Sequence, residues 1–220
     1  MFRDACHYVG LERSPQGFTC LSTDATRYLT IEETLIALTD RIRHLTSSKQ
    51  YRRAAVNRRF QARDQQSMIT QAVDRVLDSV PSTIVVRVDL HYLSAFQYRQ
   101  RVEDVFADLD RLRREIECNE IFDDLMWHIC SVEQRDERGY HIHTEFFFDG
   151  AKVDCDVHKA RQVGRLWREI THRQAYYFNC NANKERYEGD LGIGLIDRND
   201  AGIRSKVHKA MHYLAKDEDS

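Results

Sequence analysis

After Pro81 the period of the chain changes to two, and three stretches between Pro81 and Gly150 read as strands, which commits this part of the chain to a sheet. The first is Thr83-Ile-Val-Val-Arg-Val-Asp-Leu-His-Tyr92, with Val86, Val88 and Leu90 on one face and Arg87, Asp89 and His91 on the other. Residues 125–133 and 140–148 are the second and third, and the turn at 134–139 makes them a hairpin. A helix is expected over 95–118, where Val102, Val105, Leu109, Leu112 and Ile116 keep a 3-4-3-4 spacing. A helix over 156–172 turns Val157, Ala160, Gly164, Trp167 and Ile170 or Thr171 inward. A fourth strand at 191–196 and a last helix at 201–216 complete the series. The order strand, helix, strand, strand, helix, strand predicts an α+β fold, a ferredoxin-like or RRM-like antiparallel sheet with helices on one face. The other face is then open for chemistry.

The chain before Pro81 has a different texture. Residues 1–22 hold Gly10, Pro15 and Gly17 with little periodicity and are expected to be loosely ordered. From Thr30 the pattern is helical: Thr30 and Glu33 have capping-box spacing, and Leu35, Leu38, Ile42 and Leu45 form a stripe. Ser47-Ser48 breaks it, a second helix closes on Met68, Ala72, Val73, Val76 and Leu77, and Pro81 stops it. Two regions follow: a helical, basic N-terminal region at 1–79 and a sheet domain at 80–220.

No apolar run is long enough to span a bilayer and no leader-like segment opens the chain, so the expectation is a cytoplasmic protein with no membrane partner. Six cysteines without a C-x-x-C pair or zinc spacing are expected to be reduced thiols. The formal charge is only −2, but its distribution is uneven. Between 41 and 63 stand Arg41, Arg43, Lys49, Arg52, Arg53, Arg58, Arg59 and Arg63, with Tyr51 and Phe60 among them and no acidic residue. Such a segment can neutralise phosphates and stack on bases; Arg52, Arg53, Arg58 and Arg59, together with Lys206 and Lys209 of the last helix, are the candidate DNA contacts. The alternative is a solvated helix face.

His141 and His143 flank Ile142 in the third strand. Alternation puts both imidazoles on one sheet face, a ready pair of metal ligands that leaves coordination positions for a phosphate oxygen. Glu133, late in the partner strand, is the expected third ligand, and Glu145 is the second choice because it shares the histidine face. The expected ion is Mg²⁺ or Mn²⁺. In the last helix Ile203, Val207, Ala210 and Leu214 form the buried stripe, and Tyr213 falls at its edge on a flank with Lys206, Lys209 and Lys216. Cations beside a phenol favour its phenolate, which suits a nucleophile for a phosphodiester. The plainer reading is a boundary tyrosine among solubilising lysines. Asn179, Asn181 and Asn183 either line a DNA groove or satisfy a polar turn.

The succession of Val85-Val-Arg-Val-Asp-Leu-His-Tyr92, His141-Ile-His143 and Tyr213-Leu-Ala-Lys216 is similar to the three motifs of single-tyrosine HUH nucleases that initiate rolling-circle replication. Gly139-Tyr-His-Ile-His, Phe146-Phe-Phe-Asp-Gly150, Asn179-Cys-Asn-Ala-Asn-Lys184, Gly192-Ile-Gly-Leu-Ile196 and His212-Tyr-Leu-Ala-Lys216 resemble more closely the inovirus replication proteins of the gene-two type, the YagK/YfjJ C-terminal domain family. The resemblance covers about residues 80–218. It implies nicking of origin DNA, a covalent 5′ link to tyrosine, and rejoining. By position it assigns the metal to His141 and His143 and the nucleophile to Tyr213 with Lys216 beside it. It also implies phage or prophage origin DNA as partner, with host replication machinery behind it. A non-catalytic DNA-binding protein on the same fold is the alternative. A metal-dependent hydrolase of a small molecule leaves the basic segment and Tyr213 unexplained.

Overall fold

A computed structural model describes residues 11–14, 17–22, 26–97, 100–135, 139–187 and 192–214. Contacts divide the chain into two compact units, Met1–Arg63 and Asp64–Ser220. In the first, β1 (Leu11–Ser14) and β2 (Gly17–Cys20) pair as an antiparallel hairpin, where the sequence pattern predicted loose order. Strands of four residues are too short to show a period. Helix α1 (Ile31–Ser47) begins with the expected capping box: Glu33 N–H donates to Thr30 Oγ1 and Thr30 N–H donates to Glu33 Oε2. Arg27 grips the same carboxylate, and its hydrogen bond, with that from Thr30, holds Glu33 down at about 2. The helix ends at Ser48, and α2 (Lys49–Ser79) starts at once. From Asp64 onward α2 belongs to the second unit.

That unit is built on β3 (Ser82–Tyr92). After the single turn α3 (Ser94–Gln97) come α4 (Val102–Cys118), β4 (Leu125–Arg135), β5 (Gly139–Asp149) and α5 (Asp156–Ile170). The last elements are β6 (Ala175–Asn179), β7 (Gly194–Asp197) and α6 (Ala201–Leu214). All pairings in the five-stranded sheet are antiparallel. The order is β4-β5-β3-β6, with β7 also on β3. β3 is therefore the hub, and β6 and β7 share its outer edge.

Even-numbered residues of β3 face α4 and α5, as their alternation predicted. Val86, Val88, Leu90 and Tyr92 pack there with Ile142, Phe146 and Phe148 of β5 and with Val105, Leu109, Leu112, Val163 and Trp167 of the helices. The opposite face is not left open. Val85, Phe147 and Ile196 point to it, with Trp127 and Ile129 beside them, and Ile69, Val73 and Leu77 of α2 cover them together with Val207, Ala210, Met211 and Leu214 of α6. Helices thus lie on both faces, which corrects the expectation of one. The physical reason is the run Phe146-Phe147-Phe148, which must bury side chains on both sides.

Between β6 and β7 the edge of β3 has no strand partner, and Asn181 takes the place of one. Its Oδ1 accepts from Arg87 N–H at 2.8 Å, and its Nδ2 donates to Val85 C=O at 2.9 Å. Asn179 caps the following turn by accepting from Ala182 N–H, and Asn183 donates to Asn179 C=O. The asparagine segment satisfies backbone at a polar turn.

α5 reaches the sheet through Gly164. A Cβ there would lie 2.2 Å from Cδ2 of Tyr177, so the ring occupies the space a side chain would need. Gly164→Ala gains about 1 kcal/mol of helix propensity. The overlap forces the ring or the helix to move, at a cost of roughly 1–3 kcal/mol. The expected result is a lower urea midpoint with an unchanged slope. An unchanged or higher midpoint would show that α5 can draw back freely.

Candidate metal centre and its tyrosine

The polar half of the second sheet face begins where the apolar cover stops, and its residues are set by register. β3 and β5 pair Arg87 with Glu145, Asp89 with His143, and His91 with His141. β4 adds Ser131 opposite His143 and Glu133 opposite His141. Moving along the strands, the face changes from Val85 and Phe147 to a buried ion pair, then to an acid–histidine pair, then to histidines.

His141 and His143 lie side by side, ring centroids 5.0 Å apart, and both are buried. Glu133 Oε2 is 3.2 Å from His141 Nε2 and 3.5 Å from His143 Nε2. Ligand atoms of the three residues all lie within 4.8 Å of one another, so the cluster can hold a metal ion. Two donors at right angles around an ion about 2.1 Å from each stand about 3 Å apart, close to the spacings here. Glu145, the second choice for third ligand, lies deeper and is fully buried. Its Oε1 accepts from an Arg87 N–H at 3.3 Å, which turns it away from the cluster.

Asp89 is the residue the sequence placed on the correct face without giving it work. Its Oδ1 lies 2.7 Å from His143 Nδ1 and accepts from Arg87 Nε at 3.3 Å. Burial opposes its charge, but the His143 hydrogen bond and the Arg87 guanidinium outweigh burial and hold it at about 2. An ionised Asp89 accepts a hydrogen bond from Nδ1–H of His143 and leaves the Nε2 lone pair facing Glu133, the tautomer a metal ligand needs. Burial pushes the Glu145 carboxyl up from the usual carboxylate range, and the Arg87 guanidinium beside it offsets part of that shift. Arg87 itself resists the burial penalty because Glu145 and Asp89 flank it.

Tyr213 reaches this cluster from α6. Its ring centroid is 6.3 Å from that of His143, and the residue is 43% exposed, so both the histidine and solvent have access to it. α6 is held by its apolar stripe and by a polar seam to α2. Arg204 pairs with Asp78 at 2.6 Å and with Asp74 at 3.0 Å, His208 Nε2 is 2.9 Å from Asp74, and His212 Nε2 is 2.9 Å from Thr70 Oγ1. Gly192, at φ +58°, lets the chain before β7 pass so close to α6 that a Cβ would meet Val207 N at 2.3 Å. Met211 joins the stripe that the 3-4 spacing left out.

Lys209 is exposed one turn before Tyr213, and Lys206 is half-buried. Lys216 lies outside the described residues. Arg52, Arg53, Arg58 and Arg59 are exposed on α2 within the first unit, with the Arg58 guanidinium 5.8 Å from the Tyr51 ring centroid and Phe60 66% exposed. No described helix is long and apolar enough to cross a membrane. Neither the family models, nor the curated proteins, nor the solved structures contain a match to this chain.

Proposed function

We propose that the protein is a metal-dependent enzyme that nicks and rejoins single-stranded DNA through Tyr213, in the rolling-circle replication of a phage or prophage. The observation that carries this reading is the Tyr213 ring beside His143, within the reach of one phosphate from the Glu133, His141 and His143 cluster. The strand order β4-β5-β3-β6, with α4 and α5 on one face, supports reading the sheet as ferredoxin-like, with α2 and α6 added on the other face. Mg²⁺ or Mn²⁺ suits the role, although imidazole ligands accept several first-row ions.

A divalent ion held by the cluster would polarise a phosphoryl oxygen of the scissile phosphate. The residues of the chain do the rest. Tyr213 Oη bonds to phosphorus and its proton leaves to water. The P–O3′ bond breaks, and the O3′ takes up a proton to become a free hydroxyl. The product is a 5′-phosphotyrosine, and reversal by a 3′ hydroxyl rejoins the strand. Lys209 adds positive charge on the same helix. Asp89 keeps His143 oriented, and the Arg87–Glu145 pair keeps Asp89 in place.

Calorimetry with Mn²⁺ tests the cluster. His141→Ala combined with His143→Ala should abolish binding, and Asp89→Asn should weaken it on the order of ten- to a hundredfold. Unchanged affinity in the double variant would move the site elsewhere.

Tyr213→Phe should keep the fold and DNA binding yet form no covalent adduct with a labelled single-stranded oligonucleotide. The wild-type adduct should require metal. An adduct that persists in Tyr213→Phe would remove the tyrosine from the chemistry. A wild type that binds origin-like strands without ever forming an adduct would leave a DNA-binding protein.

The basic segment has its own readout. Neutralising Z phosphates gives a slope of about −0.7Z in log affinity against log salt on single strands. Replacing Arg52, Arg53, Arg58 and Arg59 by alanine should flatten that slope, and an unaltered line would show that these side chains are only solvated.

A further inference from the structure

The polar half of the sheet face continues past the metal ligands into a row of rings. His91 is stacked on His141, with centroids 5.7 Å apart and planes 11° from parallel. On its other side His91 is stacked on Tyr176, 4.9 Å away at 13°. Three strands thus contribute one parallel column, His141 from β5, His91 from β3 and Tyr176 from β6. Tyr176, at its outer end, is 42% exposed. Two residues along β6, on the same face beside Asp89, stands Phe178, and the Arg186 guanidinium lies 5.4 Å from its ring centroid. Neither Tyr176 nor Phe178 belongs to the two apolar clusters that hold the sheet. Packing of the core therefore does not account for two aromatic rings and an exposed arginine at this edge.

We propose that Tyr176, Phe178 and Arg186 form a platform for single-stranded DNA, on which a base next to the scissile phosphate stacks while Arg186 meets the backbone. The proposal rests on the reading of the cluster as a DNA-cleaving centre and names the surface that holds its substrate. Bases stack on aromatic side chains whatever their identity, and an arginine adds charge for phosphate and a flat guanidinium for the base. The platform therefore supplies affinity and register, not sequence choice. The column ties that register to the chemistry: a base seated against Tyr176 is aligned, through His91, with the ring of a metal ligand.

Anisotropy of a fluorescein-labelled single-stranded oligonucleotide, measured in EDTA, separates this surface from the metal and from cleavage. Tyr176→Ala should weaken binding on the order of ten- to a hundredfold, and Tyr176→Phe should leave it nearly unchanged. Arg186→Ala should reduce both affinity and the salt slope. An abasic nucleotide walked along the oligonucleotide should, at one position, weaken wild-type binding as much as Tyr176→Ala does. At that position Tyr176→Ala should cost nothing further, which a merely loosened sheet edge would not produce. If the wild type binds but neither Tyr176→Ala nor any abasic position matters, the platform is wrong and the nuclease reading stands. If the wild type binds no single-stranded DNA at low salt, both fall together.

Discussion

Arg87 is a guanidinium with only 5% of its surface exposed, set between Glu145 and Asp89 where the sheet face changes from apolar to polar. A buried charge of this kind is costly unless it is paired and hydrogen-bonded, and here both Glu145 and Asp89 pair with it. Its backbone is tied as well: the N–H goes to Asn181 and the C=O accepts from Cys180 N–H. Everything outward along the face inherits its order from this point. Glu145 is drawn inward, Asp89 is fixed as an anion, and His143 is presented with one nitrogen occupied and the other available. Loss of the guanidinium would leave two buried carboxylates facing each other, and the histidine pair would lose its support.

The same face shows how a sheet can serve both as core and as the seat of a polar cluster. Its apolar half gains hydrophobic burial from α2 and α6, and α6 carries Tyr213 out to the boundary of that cover. The packing of the core and the position of Tyr213 are therefore coupled through one helix. The stripe of Val207, Ala210, Met211 and Leu214 determines how far along the sheet the tyrosine stands. The polar seam of Arg204, His208 and His212 against Asp74, Asp78 and Thr70 limits its rotation.

Much of this was written in local pattern. The period-two run announced β3, the turn at 134–139 between two strand-like stretches announced β4 and β5, the stripes announced α4 and α5, and His-Ile-His on a strand required both imidazoles to share a face. Glu133 followed from the hairpin. The elements that escaped notice were short. β6, Ala-Tyr-Tyr-Phe-Asn, buries one residue fully and alternates weakly, and the β1–β2 hairpin has four residues per strand. The roles of Arg87 and Asp89 depend on which residue of β5 stands opposite, and that register joins positions more than fifty residues apart. The covered half of the second face was signalled by Phe147 between two other phenylalanines. Which helices would cover it was a matter of tertiary packing, which a helical stripe alone does not reveal.

The central position of β3 has a consequence for how the molecule comes into being. β3 is the first strand of its sheet in the chain, yet its partners β5, β6 and β7 all come later, the last of them more than a hundred residues on. Contacts so distant in sequence carry a large loop-closure cost and slow folding. The strand stays without neighbours until most of the domain has emerged, and α6 is the last described element to dock. The histidines, their acids and the tyrosine thus come together only at the end of assembly. A partly made chain already carries its basic segment, but its cluster and its tyrosine have not yet been brought together.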